Sequence, residues 1–197
     1  QTTEISVALA LLQVVDNPMQ DVPLLAVLRS PLMNFSADRL AELRADSRGS
    51  LYDALTAGAN RGEEDCKAFL SLLNELRDLA AEESSHRLLW YIYDRTDLPA
   101  IFAAMPDGQH RRANLMALYD EACRFESGGH RGLMAFLLHL TRMAENGVAV
   151  RAGIHCAPLA HDSAGTLKTG TVRISVSDLN TLEECVEFLQ IFKKILT

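Results

Sequence analysis

The sequence predicts a mainly α protein: a multi-helical segment over about residues 1–147, then a small β–β–α piece over 148–197. Three observations point there. Apolar residues recur at helical spacing through the first three quarters of the chain. Pro and Gly cut that stretch into pieces of helix length. β-branched, alternating residues gather only after Gly147.

Taken in order, Ile5 to Val15 is a rich apolar run, and Asn17-Pro18 ends it because Pro cannot donate to the preceding turn. Asp21 is expected to cap a second helix, with Pro23 in its first turn and Leu24, Leu25, Val27 and Leu28 on its apolar side. Ser30-Pro31 stops it. Ser36 caps a third helix with Leu40 and Leu43, and Ser50 precedes a shorter one through Leu51, Leu55 and Ala57, closed by Gly58. Glu63, Glu64 and Asp65 open a long helix whose stripe is Phe69, Leu72, Leu73, Leu76 and Leu79. Ser84 or Ser85 starts the next, through Leu88, Leu89, Tyr91 and Ile92. Pro106-Asp107-Gly108 is a turn, and two more helices follow around Leu115–Phe125 and Leu133–Met143, split by Ser127-Gly128-Gly129.

In the tail, Val148-Ala149-Val150 and Thr171 to Val176 are expected as strands. Thr181-Leu182-Glu183-Glu184 is a capping-box pattern ahead of a helix with Val186, Leu189, Ile191 and Ile195 inward.

Composition is that of an ordinary globular chain, with 48% hydrophobic and 23% charged residues. No apolar run reaches the roughly 18 residues that cross a bilayer, and no basic-then-apolar leader is present. The chain opens on Gln1 and not on Met, as a fragment would. Cys66, Cys123, Cys156 and Cys185 are far apart with no CxxC pair, so reduced thiols and a cytoplasmic location are expected. The net charge of −7 lies wholly within residues 1–149, which hold 14 basic and 21 acidic residues; 150–197 hold five of each. That balance argues against a free-standing polyanion binder, because phosphate contacts need clustered positive charge.

No GxxxxGK[ST] phosphate loop, HExxH, GxSxG or dinucleotide fingerprint occurs, so no autonomous ATP site is expected. Glu63-Glu64-Asp65 point in different directions from a helix start and are expected to be a solvated first turn, not metal ligands. His110-Arg111-Arg112 is likewise expected to be solvated rather than bound to phosphate. Trp90-Tyr91-Ile92-Tyr93 is expected in the core rather than stacked on a base. His155, Cys156 and His161 lack a fourth ligand and are not expected to hold a metal.

Leu11 to Pro18, Asp21-Val22-Pro23-Leu24, Ala26 to Leu32, Arg112-Ala113-Asn114-Leu115, Leu118-Tyr119, Phe125-Glu126, Gly132-Leu133 and Phe136-Leu137 resemble the AddA-type subunit of bacterial helicase–nucleases. The resemblance runs in order through nearly all of 1–147 and implies the helical 2B subdomain of a superfamily-1, UvrD-like motor. It implies a whole enzyme that unwinds and degrades DNA in double-strand-break repair and recombination with ATP and Mg. The 2B part would supply contacts to duplex DNA and to a partner subunit. The ATP-binding motifs lie outside this stretch, so no catalytic residue carries over and the DNA-contacting residues stay unassigned.

Val150 to His161, with Gly165-Thr166 and Gly170 to Ser175, is similar to the C-terminal end of class V aminotransferase-fold cysteine desulfurases. The resemblance implies that Cys156 matches the persulfide-forming nucleophile and that Arg173 pairs with the substrate carboxylate. Asn180-Thr181 fits that pattern, and Ser177-Asp178-Leu179 departs from it. The family's pyridoxal phosphate site, including its lysine, is absent, so activity is not expected of this chain and no cofactor is expected in it. The main expectation is therefore a non-catalytic helicase/nuclease piece. The alternatives are a desulfurase piece or a fusion of the two with no joint function.

Overall fold

The computed structural model describes residues 2–45, 49–146, 151–153, 171–173, 186 and 188–190. The chain divides into two compact units, Gln1–His139 and Leu140–Thr197. The helices are α1 (Thr3–Asp16), α2 (Asp21–Arg29), α3 (Ala37–Ala45), α4 (Leu51–Asn60), α5 (Glu64–Glu82), α6 (Ser85–Thr96), α7 (Leu98–Ala103), α8 (Gly108–Ser127) and α9 (Leu133–Asn146). The mainly helical fold class is what the sequence predicts.

α1 is the axis of the first unit. Val7, Ala8, Leu11, Leu12, Val14 and Val15 are buried almost all round it, as expected of a helix without a polar face. It packs against α2, α5 and α8. The core closes with Leu24, Val27 and Leu28 of α2, Leu73 and Leu76 of α5, Leu88, Leu89 and Ile92 of α6, and Leu115 and Ala122 of α8. One carboxylate enters this core. Glu4 is 1% exposed and accepts from Arg111 Nη1 at 2.8 Å and Asn114 Nδ2 at 2.7 Å. Burial alone would raise its pKa; hydrogen bonds from Thr2 and Asn114 and the Arg111 charge prevail and hold it below the usual carboxylate range. Arg111, expected to be solvated, instead satisfies a buried charge 107 residues away.

Several helix starts follow local chemistry. Ser36 Oγ accepts from the Arg39 amide at 3.0 Å, and Ser50 forms a capping box with Asp53. Asp21 behaves differently from expectation: it is the first residue of α2, and its Oδ1 accepts from the Leu51 amide at 2.8 Å, so it satisfies the first amide of α4, the helix that Ser50 caps. Gly58 does not close α4, which continues to Asn60; the turn is made by Gly62 at φ +97°. Gly58 is buried within α4, where a Cβ would lie 2.6 Å from Glu63 Oε2 and 2.8 Å from Cys66 Sγ. α7 has no counterpart among the predicted helices. It is a six-residue helix with Pro99 in its first turn, too short to show periodicity.

In the second unit, β1 (Arg151–Gly153) pairs antiparallel with β2 (Thr171–Arg173), placing Arg151 opposite Arg173 and Gly153 opposite Thr171. Residues 186 and 188–190 are helical. The strand expected at 148–150 lies outside the described residues. No helix among the described residues is long and apolar enough to cross a membrane.

Candidate functional site

Two clusters of chemistry-bearing side chains stand out in the first unit, and they differ in how far their polar groups are already satisfied. The first joins α3 to the start of α5. Arg39 donates from Nε to Asp65 Oδ2 at 2.8 Å, and from Nη2 to Asp65 Oδ1 at 3.0 Å and Glu63 Oε2 at 2.5 Å. Arg61 donates to Glu63 Oε1 at 2.7 Å. Cys66 Sγ lies 3.6 Å from Glu63 Oε2.

Hydrogen bonds from Arg39 hold the Asp65 carboxyl below its ordinary value, and those from Arg61 and Arg39 do the same for Glu63. Burial, with help from Asp65, pushes the Cys66 thiol up to about 12, which leaves it protonated and unreactive near neutrality. Glu63, Asp65 and Cys66 present donor atoms within 4.8 Å of one another. The position a cation would take is served by the Arg39 guanidinium. Glu63 and Asp65 are thus not a merely solvated first turn, and their arrangement is that of a clasp.

The second cluster is a groove between α6 and α8 that ends against α7. Helical spacing aligns Arg87, Trp90 and Asp94 of α6 along one side, with Glu83 just before the helix. Arg112, Met116 and Tyr119 align along the other, on α8. Trp90 is 55% exposed and tilts over Tyr119, with ring centroids 5.3 Å apart. Beyond this pair, a cavity of about 630 Å³ is lined by Trp90, Asp94, Asp97, Pro99, Ala103 and Arg112 among others. The expectation for Trp90-Tyr91-Ile92-Tyr93 divides: Ile92 and Tyr93 are buried, with Tyr93 Oη donating to the Leu115 carbonyl at 2.7 Å, while Trp90 faces outward.

Glu83 pairs with Arg87 at 3.1 Å, and His86 bonds Glu126, which also accepts from the Ser85 amide at the start of α6. Asp94, Asp97 and Arg112 make no side-chain hydrogen bond or ion pair among the described residues. Residue types alone give no reason to single these three out. The signal available in sequence was the helical phase, which turns Trp90 and Asp94 about 100° away from Leu89 and Tyr93.

Cys156, with His155 and His161, lies outside the described residues. Arg173 is in β2, opposite Arg151.

No family model matches the chain. Curated relatives do. The chain is 44% identical over 150 residues to a Lactobacillus johnsonii protein named as the A-type subunit of an ATP-dependent helicase/nuclease, a match covering 74% of this chain and 12% of that protein. A Geobacillus thermodenitrificans protein of the same name is 45% identical over 157 residues, covering 75% and 13%. One from Acetivibrio thermocellus is 43% identical over 148 residues, covering 73% and 12%. The chain spans about an eighth of the length of these relatives, and over about three quarters of itself it is similar to a segment of these ATP-dependent helicase/nuclease subunits.

Proposed function

We propose that residues 1–147 are the helical, 2B-type segment of a cytoplasmic DNA helicase/nuclease of AddA type, working in double-strand-break repair and recombination. The observation that carries this reading is 43–45% identity to the helicase/nuclease relatives over about three quarters of the chain, the share that residues 1–147 make up. The helical character of α1 to α9 agrees with it. The parent enzyme would use ATP and Mg to unwind and degrade DNA. This segment would supply contacts to duplex DNA or to a partner subunit and no catalytic group, since it contains no phosphate loop. The test is a chimera in which residues 2–139 replace the matching segment of the Geobacillus thermodenitrificans relative. ATP-dependent duplex unwinding close to that of the parent is expected, whereas an unrelated helical bundle spliced at the same place abolishes it. Loss of unwinding in both chimeras would sink the reading.

For residues 148–197 the reading is a C-terminal desulfurase-like fragment, fused without joint function, with Cys156 in the place of the persulfide nucleophile and Arg173 in that of the carboxylate-binding arginine. The motif from Val150 to Ser175 supports it, together with the short antiparallel pair β1–β2 within that span. Pyridoxal phosphate would supply the electron sink in such an enzyme, and the lysine that holds it is missing here. Mass spectrometry after incubation with cysteine and pyridoxal phosphate is expected to find Cys156 unmodified. A persulfide on Cys156 would show that the tail is an active piece after all.

A further inference from the structure

We infer that the apolar face of α9 around Met134 and Leu138 is an internal packing surface of the helicase/nuclease subunits. In the relatives a stretch of their own chain, outside the segment matched here, covers it. The inference rests on the helicase/nuclease reading and adds to it a face and its occupant. Leu133 to Leu140 is apolar at every position but His139. Yet among the described side chains of α9 only Phe136 is buried, where its ring meets Phe125 with centroids 5.4 Å apart. Met134 is 74% and Leu138 50% exposed, one turn apart on a common face. They border a cavity of about 670 Å³, whose apolar lining continues through Val15 of α1 and Ala80 and Ala81 of α5. A concave apolar surface shared by three helices is a place for another element to pack, not a scatter of single exposed residues.

Two observations name the occupant. The matched segment is about an eighth of each relative, so most of the polypeptide it folds with there lies outside it. The likeness also runs to about residue 147, and α9 ends at Asn146; the stretch that follows here has a different likeness. α9 is thus the last helix before this chain and its relatives part, and its bare face is where a neighbour present in them is lacking. Arg77 and Arg131 line the same cavity beside one carboxylate, Asp16, and neither guanidinium makes a hydrogen bond or ion pair among the described residues. The covering stretch is therefore apolar with an acidic side chain at its margin. Duplex DNA would supply the charge but would set phosphates against Met134 and Leu138, which gives them nothing to pack on.

Met134 is its own probe, because dilute hydrogen peroxide converts an accessible thioether to the sulfoxide, which peptide mass spectrometry locates. Its oxidation rate is measured in the full chain and in the chimera that carries residues 2–139 in the Geobacillus thermodenitrificans relative, each against the same protein in urea. In the full chain a rate close to that in urea is expected; in the chimera, without DNA, oxidation about tenfold slower. Leu138 is half exposed, so Leu138→Lys is expected to restore fast oxidation in the chimera while leaving the circular dichroism of the full chain unchanged. Fast oxidation of Met134 in a chimera that still unwinds DNA would overturn the inference and leave the helicase/nuclease reading standing. So would protection that survives Leu138→Lys, protection that appears only with duplex DNA, or protection in the full chain that is lost on dilution, the mark of a second copy. A chimera that fails to unwind takes the inference down with the reading.

Discussion

The Arg39 clasp and the Trp90 groove make an instructive pair. By residue type the clasp looks like the site: two carboxylates, a thiol and two arginines within a few ångströms. Yet each of its carboxylates is already met by a guanidinium, its thiol is held protonated, and its geometry ties α3 to the start of α5. The groove looks like core in sequence, an aromatic run in an apolar helix. There an indole stands 55% exposed beside three charged side chains with no partner among the described residues. These charges of the groove are exposed to solvent and, among the described residues, free of protein partners, whereas those of the clasp are committed to one another. A closed set of ion pairs has nothing left to offer a ligand.

The comparison can be broken most sharply at Gly108. A Cβ there would overlap the Ala103 carbonyl oxygen, a backbone atom that cannot swing aside. Gly108→Ala should therefore force α7 and α8 apart, cost about 3 kcal/mol in thermal or urea unfolding, and open the groove floor. Unchanged stability would mean that the α7–α8 approach does not define the groove.

A smaller loss is expected at the clasp. Arg39→Ala should lower stability by about 2 kcal/mol, the scale of hydrogen bonds to charged groups. Arg39→Lys should restore only part of it, since a single ammonium cannot reproduce the planar fork. The pH dependence carries a definite sign. Glu63 and Asp65 have folded-state pKa values below their unfolded ones. Their contribution is thus fully present above about pH 5 and is lost as pH falls through the folded values. Urea unfolding below pH 4 should show a shallower acid slope in Arg39→Ala than in the parent; equal slopes would exclude Arg39 as the source.

The smallest effect is expected at the groove rim. Arg112→Ala and Asp94→Ala remove no partnered interaction and should leave stability within about 0.5 kcal/mol of the parent. A larger loss would show that these charges are structural, which would erase the contrast with the clasp.

Much of the first unit is legible from local rules. The Ser36 and Ser50 caps, the stop at Asn17-Pro18 and the apolar stripe of α5 follow from single-turn chemistry and periodicity. α7 escapes them because six residues give no period to detect. The candidate site was less legible. Trp90 and Tyr93 are three residues apart, yet Trp90 is half exposed over Tyr119 while Tyr93 is buried with its hydroxyl on the Leu115 carbonyl.

What the sequence determined alone is every helix of the first unit except α7, most of their starts, and a likeness to helicase/nuclease subunits, because each is carried by neighbouring residues or by order along the chain. What the tertiary structure decided are the long-range pairings. Asp21 takes the first amide of the helix beginning at Leu51, Arg111 neutralises Glu4, and Arg39 closes over Glu63 and Asp65. Asp94, Asp97 and Arg112 are left facing a groove. Which charges find a partner depends on how helices pack in three dimensions, and hydrogen bonds between residues 24 to 110 positions apart leave no periodic trace in the sequence.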